Sequence, residues 1–195
     1  MLKVGLTGGI GSGKTAVSNI ISDIGIPVYN SDNRAKWLMN NDKELQNNII
    51  QLFGDKAYLN KQLNRSYIST IVFDNPTKLN QLNSLVHPCV AIDFKKWIVE
   101  NNTAEIVVKE AAILIESDAY KQMDSIFLVV ADEKLRINRV SIRDGVQDTV
   151  IKKRIDAQMS DQTKMKYADH IINNDGSLFE LKNKVISVIE SIKLD

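Results

Sequence analysis

A glycine-rich loop between a predicted strand and a predicted helix is the feature that most constrains this 195-residue chain. Residues 2–15 read LKVGLTGGIGSGKT and contain the phosphate-loop pattern G-x-x-x-x-G-K-[ST]. The glycines let backbone N–H groups approach phosphate oxygens, and the following helix adds the positive end of its dipole. In this context the pattern predicts a nucleotide phosphate site, although a chance glycine-rich turn would match the same letters.

The residue types of the loop predict how a nucleotide is held. Lys14 is placed for the β- and γ-phosphates, and the Thr15 hydroxyl is placed for Mg²⁺. A turn at residues 173–176 follows the last predicted strand and is expected to touch the nucleotide base. The predicted nucleotide contacts are Gly9, Gly11, Ser12, Gly13, Lys14, Thr15, Ala16 and Asn174.

The composition argues against several classes of protein. The formal net charge is +1, so the basic excess of a nucleic-acid-binding protein is missing and no such partner is expected. Cys89 is the only cysteine, which excludes an internal disulfide and argues against a structural zinc site. No apolar run approaches the ~18 residues of a membrane span, and residues 2–6 are too short for a signal peptide. We expect a cytoplasmic monomer without a membrane partner, and weak self-association stays open.

Short apolar runs alternate with amphipathic segments, which is the pattern of an α/β core. The run at residues 125–130 is nearly continuous, as expected for a parallel strand that is buried on both faces. Together with the loop, this pattern predicts a P-loop NTPase fold with a five-stranded parallel sheet flanked by helices. The predicted strands lie at residues 2–6, 26–29, 105–109, 125–130 and 169–172.

A helical insertion is predicted between the second and third strands. From about residue 40 to residue 102, four amphipathic segments follow one another with no clear strand between them, and His87-Pro88 is expected to break the third from the fourth. Such an insertion commonly binds the acceptor in a phosphate-loop enzyme, and a packed helical layer without a ligand is the alternative. The predicted domains are a core of residues 1–32, 103–136 and 168–195, a helical acceptor domain of residues 33–102, and a lid of residues 137–167.

Asp32 is the first candidate for chemistry outside the loop. It follows the second predicted strand, and polar residues at the carboxyl end of such a strand point into the ligand crevice. Either Ser31 or Asp32 would also serve as the N-cap of the following helix. The spacing alone favours neither interpretation.

Two further polar residues have both a functional and a structural interpretation. Glu110 ends the third predicted strand, where a carboxylate often holds the Mg²⁺ shell through water; a solvated strand-end carboxylate is the alternative. His87 is a candidate acceptor contact, and a capped turn residue before Pro88 is the alternative.

Residues 134–166 are strongly basic. They contain nine basic and four acidic residues, so the segment carries a net charge of +5 in a chain whose total is +1. Arg139 and Arg143 are four residues apart and share a helix face, where they could stabilise charge on a migrating phosphoryl group. A mobile lid would bring them there and exclude water. A solvated basic face is the alternative, and we prefer it for Lys152, Lys153 and Lys164.

The ordered set of motifs closely resembles the dephospho-CoA kinase family over nearly the whole chain. The loop from Leu6 to Lys14 is similar almost letter for letter, whereas the loop alone is shared by many nucleotide-binding proteins. The other matching segments are residues 28–36, 73–76, 82–83, 87–88, 112–116, 139–145, 157–159 and 173–177.

The resemblance implies ATP-dependent phosphorylation of the ribose 3′-hydroxyl of dephospho-CoA, giving CoA and ADP, with ATP and dephospho-CoA as partners and Mg²⁺ as cofactor. It favours Asp32 as the general base, Lys14, Arg139 and Arg143 as catalytic cations, and Lys36 and His87 as acceptor contacts. The candidates for the metal stay those of the loop pattern and the strand end, Thr15 and, through water, Glu110. The family usually has Asp-x-Asp followed by Ala-Arg, whereas this chain has Asn30 and Lys36 at two of those positions. An amide has no useful basicity, so Asn30 does not replace Asp32.

Two other functions stay open from the sequence. Another small-molecule kinase would use the same core with a different acceptor. A nucleotide-dependent switch would bind a protein partner, but the helical insertion occupies the place where a switch needs short γ-phosphate-sensing loops.

Overall fold

The computed structural model describes residues 1–73 and 75–193 and divides into two compact units. The first unit, which we call the nucleotide unit, comprises residues 1–29 and 101–195. The second, which we call the helical unit, comprises residues 30–100. Asp74, which belongs to one of the family-like segments, lies outside the described residues.

The helices and strands follow the alternation that the sequence predicts. In chain order they are β1 (Leu2–Gly8), α1 (Lys14–Asp23), β2 (Val28–Asn30), α2 (Ser31–Asn41), α3 (Lys43–Phe53), β3 (Tyr58–Leu59), β4 (Gln62–Leu63), α4 (Arg65–Val72), α5 (Pro76–Glu100), β5 (Ile106–Glu110), β6 (Ser125–Val130), α6 (Glu133–Asp144), α7 (Asp148–Asp156), α8 (Asp161–Lys164), β7 (His170–Asn173) and α9 (Leu178–Ser191).

The five-stranded parallel sheet is confirmed, in the order β2-β5-β1-β6-β7. In the register of the three central strands, Leu6 of β1 lies opposite Glu110 of β5 and Phe127 of β6. The loop after β1 and the end of β5 therefore lie at the same edge of the sheet. The predicted strand bounds are right to within two residues for each strand.

A core of branched aliphatic side chains fixes α1 and α9 against one face of this sheet. Val4 and Leu6 of β1 are completely buried there, together with Ile21 of α1 and Val185 of α9. Strands that are buried on both faces require near-continuous apolar runs, which is the pattern at β1 and β6. The rigid sheet thus fixes where β1 ends and the loop begins.

The helical unit contains a short hairpin that the sequence analysis did not predict. β3 and β4 pair antiparallel, and their two connecting residues, Asn60 and Lys61, have φ values of 50° and 64°. This left-handed turn suits the twist of a two-residue hairpin. The prediction of no strand in the insertion was wrong because each strand is only two residues long, too short for an alternating pattern.

The predicted break at His87-Pro88 was also wrong. α5 continues from Pro76 to Glu100 with Pro88 inside it. Val86, Val90 and Phe94 are buried at helical spacing on both sides of the proline, so packing of this stripe maintains the helix across it. A proline in a helix interior costs a backbone hydrogen bond, and tertiary contacts offset that cost here.

Residues 137–167, the predicted lid, belong to the nucleotide unit together with the sheet. α6 begins at an Asp132 cap whose Oδ1 accepts from the N–H groups of Lys134 and Leu135, at 2.9 and 3.4 Å. Within the part of the chain that the structure describes, no helix is both long and apolar enough to cross a membrane.

The two prolines of α5 offer a test of this account. We expect Pro88→Ala to raise the free energy of unfolding by roughly 1–3 kcal/mol, because it restores an interior N–H and removes the ring clash. Pro76→Ala is the matched control, since proline is well tolerated at the first helical position and its replacement should change stability little. Chemical denaturation monitored by circular dichroism measures both. A stability loss in Pro88→Ala as large as this expected gain would contradict the argument.

Candidate functional site

The phosphate loop connects β1 to α1 without any side-chain cap on the helix. Gly13 is the N-cap residue of α1 and has φ 101°, and Gly11 has φ 78°, both in the left-handed region that favours glycine. The N-cap residue is a glycine and makes no side-chain cap, which is the arrangement at helix starts that bind anions. The loop therefore has the backbone geometry of a phosphate site.

Neighbouring atoms lie so close to the loop that a Cβ at any of three of its glycines would force them to shift. A Cβ at Gly9 would meet the guanidinium of Arg136, and one at Gly11 would meet the backbone carbonyl of the same arginine. A Cβ at Gly13 would meet Nδ2 of Asn174. The glycines thus serve packing on the outside of the loop as well as close approach on the inside.

The polar side chains of the loop fit a bound triphosphate. Lys14 Nζ donates to the carbonyl oxygen of Gly8 at 2.7 Å, so its ammonium lies over the loop. Ser12 Oγ is buried and has no hydrogen-bond partner among residues 1–73 and 75–193. Thr15 is exposed in the first turn of α1, and Ala16 packs partly against the core. An orphaned hydroxyl, an exposed hydroxyl and an ammonium at one loop suit phosphate oxygens and their cation.

Asn174 and Arg139 hold the other side of the loop. Asn174 is buried, and its Nδ2 donates to the carbonyl oxygen of Ser12 at 2.8 Å. Arg139 Nη2 donates to the carbonyl oxygen of Asn174 at 2.8 Å. Arg139 Nη1 is buried without a hydrogen-bond partner within the described chain. The structure thus brings the sequence-predicted residues Asn174 and Arg139 to the loop and leaves one guanidinium edge unsatisfied.

Arg143 lies elsewhere on α6. Its Nε donates to Oδ1 of Asp144 at 2.7 Å, and its side chain is 62% exposed. The hydrogen bond from Arg143 lowers the pKa of Asp144, and the same bond raises the pKa of Arg143. The structure places this arginine in a surface ion pair and shows no bond from it to the loop among the described residues.

Of the three lysines that the sequence analysis assigns to a solvated basic face, two are exposed and one is buried. Lys152 and Lys153 of α7 are exposed. Lys164 is fully buried, and its Nζ lies 2.9 Å from Oε1 of Glu116. The solvated interpretation was therefore wrong for Lys164, because its ammonium is buried and pairs with the carboxylate of the solvent-accessible Glu116.

Glu110 is a buried carboxylate beside α1. It is 5% exposed, and Oε2 accepts from the Ser18 hydroxyl at 2.7 Å. Ser18 lies one turn after Thr15 on α1, so Glu110 lies against the helix that carries the predicted metal hydroxyl. The alternative of a solvated carboxylate was wrong. Its neighbour Lys109 is buried as well, and burial lowers the pKa of Lys109 to about 8.

Arg136, Gln158 and Asp161 contact the loop or one another, and the sequence analysis did not identify them as site residues. Arg136 Nε donates to the carbonyl oxygen of Ile10 at 2.9 Å, and the Ile10 N–H donates to Gln158 Oε1 at 2.8 Å. Arg136 Nη1 also donates to Asp161 Oδ2 at 2.8 Å. The available signal was that Arg136 and Arg139 lie three apart and share a helix face.

In the helical unit, Asp32 and Lys36 lie one turn apart on α2, and both are exposed. The cap of this helix is Asn30, whose Oδ1 accepts from the Asn33 N–H at 2.8 Å. The alternative that Ser31 or Asp32 caps the helix was therefore wrong. The amide at position 30 has a structural use, and the Asp32 carboxylate is not engaged in capping.

His87 lies inside α5 and is partly buried. The alternative of a turn residue before Pro88 was wrong because the helix continues through the proline. Within residues 1–73 and 75–193, no group of three or more His, Cys, Asp and Glu residues could hold a metal ion by itself. A metal at the loop would thus depend on ligand oxygens and the Thr15 hydroxyl, as Mg²⁺ in nucleotide sites does.

Comparisons with known proteins converge on one family. A family model described as dephospho-CoA kinase matches residues 2–180. The dephospho-CoA kinase of Bacteroides fragilis is 37% identical over 175 residues, which covers 90% of this chain and 85% of that protein. The one of Fusobacterium nucleatum is 36% identical over 190 residues and 97% of each chain. The solved dephospho-CoA kinase of Campylobacter jejuni is 25% identical, with a TM-score of 0.70 over 97% of this chain and 96% of that one.

Alanine substitutions at Gly25 and Gly13 distinguish the effect of backbone strain from that of crowding at the loop. Gly25 has φ 85° with nothing within 4 Å of the position that a Cβ would take, whereas Gly13 has φ 101° and faces Asn174. Gly25→Ala should lower the free energy of unfolding by about 1 kcal/mol and leave nucleotide affinity unchanged. Gly13→Ala should carry a similar strain and also displace Asn174, weakening nucleotide binding by at least ~10-fold. Thermal unfolding and calorimetric titration with nucleotide measure the two effects, and equal affinities in both variants would contradict this interpretation.

Proposed function

Because the chain belongs to the dephospho-CoA kinase family, we propose that it transfers the γ-phosphoryl group of ATP to the ribose 3′-hydroxyl of dephospho-CoA, giving CoA and ADP. This reaction is the last step of coenzyme A synthesis. The observation that carries the proposal is the uncapped phosphate loop, whose glycines lie against Arg136 and Asn174. The loop supplies the donor site, and the family supplies the identity of the acceptor.

Lys14 and Arg139 are the cations that we assign to the donor. The Lys14 ammonium lies at the loop carbonyls, within reach of the β- and γ-phosphates of a nucleotide bound there. Arg139 has a buried guanidinium edge without a hydrogen-bond partner among the described residues, which a phosphate oxygen would satisfy. Both stabilise negative charge as it spreads over the migrating group.

Thr15 and Glu110 are the residues that we assign to Mg²⁺. When bound, Mg²⁺ would supply positive charge that neutralises part of the charge of the phosphates. The exposed Thr15 hydroxyl would be a direct ligand, and Glu110, which accepts from the Ser18 hydroxyl at 2.7 Å, would hold the metal through water.

Asp32 is the general base of the proposal. Its carboxylate is exposed, and Asn30 rather than Asp32 caps α2, so the carboxylate is available to an acceptor hydroxyl. It orients that hydroxyl and accepts the proton as the O–P bond forms. Lys36, one turn along α2, and His87 of α5 are the proposed acceptor contacts, and Arg143 would have to leave Asp144 to reach the phosphoryl group.

A panel of acceptors tests the function directly. With ATP and Mg²⁺, we expect rapid ADP formation with dephospho-CoA and little with nucleoside monophosphates or simple metabolites. A coupled ADP assay measures the rates, and phosphorus NMR of the product locates the new phosphate on the ribose. A preference for another acceptor would indicate a different small-molecule kinase, and slow hydrolysis that no acceptor stimulates would indicate a nucleotide-dependent switch.

Replacement of Asp32 separates a general base from a structural role. Asp32→Asn should lower kcat by ~10²–10⁴, because an amide cannot accept the proton, while the affinity for ATP is retained. Steady-state kinetics and calorimetry with ATP measure the two quantities. Asp55→Asn, an exposed aspartate in the same unit, is the matched control and should leave both unchanged. If the affinity for ATP fell together with kcat, Asp32 would instead act on the donor or its metal.

A further inference from the structure

One residue of the phosphate loop has both of its backbone polar groups held by side chains from outside the loop. The Ile10 N–H donates to Gln158 Oε1 at 2.8 Å, and the Ile10 carbonyl oxygen accepts from Arg136 Nε at 2.9 Å. All of these residues belong to the nucleotide unit. Because both groups are engaged, the Ile10 peptide has a fixed orientation and its N–H is not available to a phosphate.

Arg136 is itself fixed by a second bond. Its Nη1 donates to Asp161 Oδ2 at 2.8 Å, and the two side chains are 7% and 20% exposed. A buried guanidinium without a partner would be strongly destabilising, so the bond to Asp161 is required to keep Arg136 in place. The two edges of one planar guanidinium thus join the loop to the first residue of α8.

The loop needs such an external support because of its composition. Gly9, Gly11 and Gly13 give the free loop many backbone conformations, and ordering a residue costs about 1–2 kcal/mol. A loop that is already ordered before the nucleotide arrives does not lose that free energy on binding. The close approach of Arg136 to Gly9 and Gly11 shows that the support is built against the glycines themselves.

We propose that Arg136, together with Gln158 and Asp161, is a positioning clamp that preorganises the phosphate loop for the nucleotide. The clamp holds the peptide groups on both sides of Ile10 and so fixes the turn from Gly9 to Ser12, which the Ser12 N–H closes by donating to the Gly9 carbonyl oxygen at 3.1 Å. Arg136 is a positioning residue and not a phosphate ligand, in contrast to Arg139. The inference rests on the proposed function only for the identity of the nucleotide as ATP.

Arg136→Lys is the decisive variant because it keeps the charge and removes the planar fork. A single ammonium cannot reproduce the directed Nε and Nη1 bonds, so we expect the Kd for ATP to rise about 10-fold. The affinity for dephospho-CoA should stay unchanged. Calorimetry with ATP in the absence of acceptor measures the first quantity, and calorimetry with dephospho-CoA alone measures the second.

Hydrogen exchange of the Ile10 amide distinguishes a positioning role of Arg136 from a general effect on stability. In the wild-type protein the Ile10 amide should exchange slowly with solvent, and Arg136→Lys and Gln158→Ala should each accelerate that exchange under conditions where both variants stay folded. Gln158 is only partly buried, so its truncation keeps the test available if the Arg136 variant does not fold. Arg65→Lys, an exposed arginine of the helical unit, is the matched control and should change neither exchange nor ATP affinity.

A double-mutant cycle then tests whether Arg136 and Asp161 act together in the clamp. Asp161→Asn should weaken ATP binding in the wild-type background and add little in the Arg136→Lys background, because the fork is already lost. Unchanged ATP affinity and unchanged Ile10 exchange in Arg136→Lys would overturn the proposal, as would additive effects in the cycle. ATP affinity and exchange are measured without acceptor, so failure to phosphorylate dephospho-CoA would leave this test intact.

Discussion

A loop made of glycines has no side chains with which to hold its own shape, and this constraint explains much of the nucleotide unit. Its backbone groups must be held by neighbouring elements, because glycine loses more conformational freedom on ordering than any other residue. α6 provides two arginines for this purpose, Arg136 directly and Arg139 through Asn174. The residue after β7 and the first half of α6 therefore support the glycine-rich loop although neither carries a phosphate motif. The sheet register fixes where the loop begins, and α6 fixes how it turns.

The sheet and its order of helices could be predicted because their signals are local. Near-continuous apolar runs mark β1 and β6, and the helix that follows the loop has a clear apolar face. The interior proline of α5 could not be judged in this way. A proline is a local signal for a break, whereas the packing of Val86, Val90 and Phe94 that maintains the helix is a tertiary effect. The same limit applies to β3 and β4, which the turn residues Asn60 and Lys61 define more than any alternation.

The residues of the candidate site likewise divide into those that the sequence could predict and those that it could not. The loop residues could be predicted because a phosphate site requires particular residue types at fixed spacing, whereas Arg139 and Asn174 were predicted from a shared helix face and from a turn at a strand end. Arg136 could not be separated from the other basic residues of 134–166, since nothing in the sequence indicates which guanidinium lies against Gly9. Conversely, the choice between the functional and the structural interpretations of Asp32 and Glu110 depended on capping and burial. Only the fold shows that Asn30 caps α2 and that Ser18 donates to Glu110.

Burial of charge distinguishes the two halves of the proposed reaction. In the nucleotide unit Glu110, Arg136 and Lys164 are almost fully buried. Burying a charge costs several kcal/mol unless it is paired, and Arg136 and Lys164 are paired with Asp161 and Glu116. In the proposed reaction, a loop that Arg136 already holds would need little reorganisation when phosphate charge develops. Asp32 and Lys36 are exposed on α2, where solvent screens their charges. In the proposed reaction the donor residues would therefore be ordered before binding, whereas Asp32 and Lys36 would gain their full electrostatic effect only when substrate excludes water.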